Sequence, residues 1–84
     1  MIRKHSVTLR GHRTSFSLED EFWEDAQAIA RRRNLSIAAL LTEIDESRDA
    51  ASNLSSAIRL HVLRHFKHAS EAASDAREPG RASA

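Results

Sequence analysis

The apolar residues in the first eighteen positions change parity partway along. Val7 and Leu9 are odd-numbered and alternate with polar neighbours, Phe16 and Leu18 are even-numbered, and Gly11 lies between the two runs. Successive side chains of an extended strand point to opposite faces, so one continuous strand would send the two apolar pairs to different sides. A chain reversal removes the conflict. A two-residue turn at Gly11-His12 would pair Leu9 with Thr14, Val7 with Phe16 and His5 with Leu18. The apolar residues would then share one face, and Ser6, Thr8, Arg10, Arg13, Ser15 and Ser17 would take the other. A second arrangement satisfies the pattern equally well: Thr14 to Leu18 is the strand, and residues 1–12 form a basic N-terminal arm.

Beyond Leu18 the period changes from two to between three and four. Phe22, Ala26, Ile29 and Ala30 form the buried stripe of a first helix, from Glu19 or Asp20 to Arg33. Its acidic start and its Arg31-Arg32-Arg33 end both suit the helix dipole, and Asn34 tolerates the left-handed backbone that ends a helix. Ser36 is an N-cap for a second helix with Ile37, Leu40, Leu41 and Ile44 on one face. The stretch from Asp45 to Ser52 is charged and rich in small residues, and is expected to loosen into a turn. A third helix over residues 53–68 starts at Asn53 or a neighbouring serine and carries Leu54, Ala57, Ile58, His61, Val62, Leu63 and Phe66. It is apolar over much of its circumference, which calls for burial in a dimer or against a partner. Residues 69–84 are Ala, Ser and charge with nothing to bury, and read as a flexible tail, a frayed helix end passing into disorder.

Size adds a requirement. A chain of 84 residues builds a modest core, and chains this small are commonly stabilised by disulfides, a metal or oligomerisation. Cysteine is absent, which excludes disulfides and thiolate zinc sites and leaves dimerisation. Apolar runs are too short to span a membrane, and MIRKHSVTLR has no apolar core of a secretory signal, so the expected location is the cytoplasm. The net charge of +1 conceals an asymmetry: residues 1–18 hold Arg3, Lys4, Arg10 and Arg13 and no acid, and five acids follow in residues 19–25.

The ordered series of polar-apolar strand, helix, Asn-Leu-Ser turn and second helix in RTSFSLEDEFWEDAQAIARRRNLSIAALLTEI resembles the ribbon-helix-helix superfamily of repressors. The longer run from His5 to Phe66, including NLSSAIRLHVLRHF, is similar to a small bacterial family of such proteins. The resemblance implies a mainly α fold with a short β-ribbon, an intertwined homodimer, a ribbon-helix-helix core over residues 13–48 and an additional C-terminal helix. It implies a sequence-specific, repressor-type regulator that places a dimeric ribbon in the major groove of double-stranded DNA. Arg13, Ser15 and Ser17 would face the bases, with Arg13 able to grip guanine O6 and N7. Ser36 and Ile37 would hold a phosphate on free amides, and Arg3, Lys4, Arg10 and His12 would add phosphate contacts. Phe16, Leu18, Phe22, Ile29, Leu40, Leu41 and Ile44 would form the dimer core. Two features cut against this picture. A hairpin would make the dimer sheet four strands wide, too wide for the groove, and the acidic start of the first helix repels DNA unless it points away.

Other features have plainer readings. The outward polar face is the default of an amphipathic strand, and Arg31-Arg32-Arg33 is a common dipole-capping run. His61, His65 and His68 share a helix face, but no nearby cysteine or carboxylate completes a metal set, so no metal or cofactor is expected. Trp23 is expected to pack within its own chain rather than serve as an exposed anchor. No nucleophile set or phosphate loop is present, so neither catalysis nor a small-molecule substrate is expected. The rival reading is a protein-interaction module, such as an antitoxin or adaptor, that uses helix 53–68 or the tail.

Overall fold

The computed structural model describes residues 1–76 of the chain. Two strands and three helices follow in the order β1 (Ile2–Leu9), β2 (His12–Glu19), α1 (Asp20–Arg32), α2 (Ile37–Ser47) and α3 (Leu54–Ala76). The parity switch is met by a hairpin: β1 pairs antiparallel with β2 along its whole length, from Ile2 opposite Glu19 to Leu9 opposite His12. Residues 1–11 therefore hold the first strand and its turn, and His12 opens the second strand, so no arm is formed.

The turn lies one residue earlier than the sequence pattern indicated. Its two central residues are Arg10 and Gly11, at φ 52° and 81°, and the pairs are Val7–Thr14, His5–Phe16 and Arg3–Leu18. Hairpin turns with both central φ values positive match the strand twist, and glycine fits the second position at no steric cost. Moving the turn by one residue moves every pairing by two, so the faces survive the correction. Leu9, Phe16 and Leu18 are buried on the inner face, with Val7 packed beside them. Replacing Gly11 by Ala is expected to lower stability by about 1–2 kcal/mol. An added Cβ would meet nothing within 4 Å, so the whole cost lies in the left-handed backbone. A urea midpoint equal to that of the parent chain would count against this turn.

The helices close over the inner face. α1 buries Ala26, Ile29 and Ala30, and Phe22 and Trp23 pack against the same core. Asn34 sits at φ 58° after the helix. The Leu35 amide donates to Ala30 O and the Asn34 amide to Arg31 O, which gives two of the terminal carbonyls partners. At the start of α2 the Ser36 hydroxyl accepts from the Ala39 amide at 3.0 Å, and Leu40, Leu41 and Ile44 are buried. Asp45, Glu46 and Ser47 stay helical where the sequence suggested a turn, because the Asp45 carboxylate is held by both Arg48 and Arg10.

Asn53 caps α3 by accepting from the Ser56 amide at 2.8 Å, and Leu54, Ala57, Ile58 and Val62 fill the core from that helix. α3 then continues to Ala76, eight residues into the segment expected to fray. Ala69, Glu71, Ala72 and Ala73 are good helix formers with no breaker among them, and helix propensity decides where burial does not. The remaining tail residues, 77–84, lie outside the described ones.

Candidate nucleic-acid interface

The outward face of the hairpin gathers Lys4, Ser6 and Thr8 from β1 with Arg13, Ser15 and Ser17 from β2, and all six are exposed. They stand opposite one another as Lys4–Ser17, Ser6–Ser15 and Thr8–Arg13. The Ser6 and Ser15 hydroxyls lie 3.2 Å apart. Among the described residues neither Lys4 nor Arg13 takes part in an ion pair. The hairpin pattern in the sequence placed Ser6 and Thr8 on this face together with Arg13, Ser15 and Ser17, although only the last three were base-contact candidates.

Carboxylates near this face are matched by arginines. Glu19, at the end of β2, receives Arg59 Nε at 2.7 Å and Nη2 at 3.1 Å, and that hydrogen bonding holds its carboxyl below the usual range. Nearby, the Ser55 hydroxyl donates to Ser17 O at 2.6 Å, so α3 covers part of the β2 edge. Behind the sheet, the Trp23 ring stacks on His5 at 4.1 Å between centroids and 20° between planes, and lies 5.9 Å from Phe16. Trp23 thus packs within its own chain, and it fastens α1 to the inner face. The acidic first turn of α1 accordingly lies on the far side of the sheet from Lys4 and Arg13.

The phosphate candidates divide. Lys4 and His12 are exposed. Arg3 instead donates to Asp20 at 2.9 Å, and Arg10 donates to Asp45 at 2.6 Å with Glu46 3.7 Å away, so both serve the fold. Ser36 and Ile37 stand at the start of α2, whereas Asp45, which Arg10 holds at the hairpin tip, is near its end. About 13 Å of helix separates the two. The residues expected in a dimer core lie within the core of the single chain, with Phe22 at its margin. Arg33 of the arginine run grips Glu43 through Nη1 and Nη2, and Arg31 and Arg32 are exposed. His61 is half-buried, and burial pushes its pKa down. Among the described residues no three potential metal ligands come together.

These ion pairs predict an acid response. Hydrogen bonds from Arg59 to Glu19, Arg33 to Glu43, and Arg48 to Asp45 lower each carboxyl below its ordinary value, and burial opposes the shift in each case. A carboxyl lowered by folding stabilises the native state fully above its unfolded pKa, and that contribution is lost as the pH falls through the folded one. The melting temperature is therefore expected to fall between about pH 5 and pH 2. Asp45→Asn should flatten part of that descent; parallel curves for the two proteins would remove Asp45 from the account.

A family model described as a ribbon-helix-helix domain matches residues 2–66. Neither the curated proteins nor the solved structures gave a match. Among the described residues no helix is long and apolar enough to cross a membrane.

Proposed function

The chain belongs to the ribbon-helix-helix domain family, in general one of DNA-binding regulatory modules, and from that membership we propose a sequence-specific transcriptional regulator of the repressor type. The observation that carries this reading is the outward face of the hairpin, with two cations, four hydroxyls and no unpaired acid. A two-stranded antiparallel ribbon fits the major groove, and here one chain supplies both strands. Arg13 reads a base through its planar fork, and Ser15, Ser17, Ser6 and Thr8 contact base edges beside it. Lys4, His12 and the amides at Ser36 and Ile37 hold phosphate. Arg3 and Arg10 are left to the fold.

The regulator acts as a homodimer with no catalytic role of its own. Joining two chains through their β2 edges would build a four-stranded sheet, which the groove does not admit, so the two hairpins enter the groove separately. Binding of the purified protein to random-sequence duplex across a salt series tests the reading. Selection of a motif, with log K falling by about 0.9 per phosphate contacted for each decade of salt, is the expected result. A folded protein that binds no duplex at low salt would overturn it.

One observation favours a second reading. Leu60, Leu63 and Phe66 on α3 are 43%, 50% and 42% exposed, a cluster suited to a protein partner of an antitoxin or adaptor. Loss of partner capture in a Leu63→Glu protein, with DNA affinity unchanged, would identify α3 as that surface.

A further inference from the structure

The end of α2, the connector after it and the first turns of α3 enclose a pocket of about 370 Å3, within the range of ligand sites. Ile44, Ala57 and Leu60 give it apolar walls, and Arg48, His61 and Arg64 line it with cationic and imidazole groups. Asp49 is the one carboxylate among the lining residues, against two arginines. The Arg48 guanidinium is already engaged, by Asp45 through Nε at 2.6 Å and by Ser52 O through Nη1 at 2.7 Å. Arg64 is exposed and makes no ion pair among the described residues. At 100° per residue, Ala57, His61 and Arg64 fall on one flank of α3, and Leu63 and Phe66 on the other. The pocket therefore borders the apolar cluster offered to a protein partner at Leu60 alone, and Leu63 and Phe66 lie outside it.

From this arrangement we propose that the pocket binds a small organic anion with a short apolar chain. Its carboxylate pairs with Arg64 and accepts from His61, and its chain lies along Ile44, Ala57 and Leu60. A bidentate guanidinium–carboxylate pair supplies orientation, and the apolar walls supply selectivity for chain length. The site is wired to the hairpin. Arg48 of the pocket wall and Arg10 of the hairpin turn share the Asp45 carboxylate, so an anion that draws Arg48 toward itself alters how Asp45 holds the turn. That coupling would make the anion an effector of the ribbon; it rests on the proposed function, whereas the binding does not.

The test is titration of the isotope-labelled full chain with hexanoate, followed by amide chemical shifts, with butanoate and hexylammonium as comparison probes. Hexanoate is expected to give saturable shifts at residues 57–64 with a dissociation constant in the millimolar range or tighter, as suits a ligand of its size. Butanoate should bind more weakly and hexylammonium not at all, and Arg64→Ala should weaken hexanoate about tenfold or more. Absence of saturation, equal binding of hexylammonium, or an unaffected Arg64→Ala protein would overturn the site. A shift at Gly11 that Asp45→Asn abolishes is expected from the coupling; saturation at α3 with no response at Gly11 would overturn the coupling alone. Because no DNA is present, these outcomes are independent of whether the hairpin enters a groove.

Discussion

Phe16→Ser is expected to leave the chain without a cooperative unfolding transition at ordinary temperature. Phe16 is 6% exposed on the inner face of β2, beside the rings of His5 and Trp23. Removing a buried phenyl ring costs about 3–5 kcal/mol through lost transfer energy and the cavity left behind. A serine hydroxyl buried there without a partner adds about 1–3 kcal/mol. Marginal stability of about 0.05–0.15 kcal/mol per residue gives this chain roughly 4–12 kcal/mol in all, so the loss is comparable with the total. Urea unfolding followed by circular dichroism checks it, and the fluorescence of the single tryptophan, stacked on the same hairpin face, gives a second signal. A variant within about 1 kcal/mol of the parent would mean that Phe16 does not face the core, and the strand register would fall with it.

The second large effect concerns binding. Arg13→Ala is expected to weaken the protein on its selected duplex by about 1–3 kcal/mol, roughly 5- to 150-fold, while changing its grip on unrelated sequence far less. The asymmetry is what separates base reading from phosphate holding. Lys4→Ala, by contrast, should weaken all sequences alike and reduce the salt slope by about one. Both side chains are exposed, so neither change removes a core contact. An Arg13→Ala protein that keeps its full preference for the selected motif would take Arg13 out of the groove. If Arg13→Ala and Lys4→Ala behaved identically, the hairpin would be an electrostatic platform and sequence would be read elsewhere.

Much of the fold was written locally. Alternation on either side of Gly11 fixed the inner and outer faces of both strands, and Ser36 and Asn34 marked helix ends through backbone chemistry that needs no distant partner. The turn position was not fixed in this way. Parity determines faces but is blind to a shift of two in the pairing, and the choice falls to the residue that best accepts positive φ at the second turn position. The candidate site was half legible. Arg13, Ser15 and Ser17 followed from one strand, whereas Ser6 and Thr8 followed only if residues 5–10 pair with it, which alternation left open against an arm. The roles of Arg3, Arg10 and Arg59 depended on carboxylates 17 to 40 residues away, a separation at which sequence carries no pairing rule. The reach of α3 past His68 was not marked by any apolar stripe, and the residues there are helical by propensity alone. The pocket draws on α2, its connector and α3 together, and none of the three suggests a cavity by itself.

The hairpin turn has a consequence for how the ribbon behaves on dilution. A ribbon made from one strand of each of two chains exists only while the two chains are joined, so dilution removes the recognition surface together with the dimer. Here the second strand is tethered to the first by two residues, Arg10 and Gly11. Its local concentration is set by that tether and not by the number of molecules present. A solitary copy thus keeps its ribbon assembled, and scarcity changes how many ribbons act together without changing what each one is.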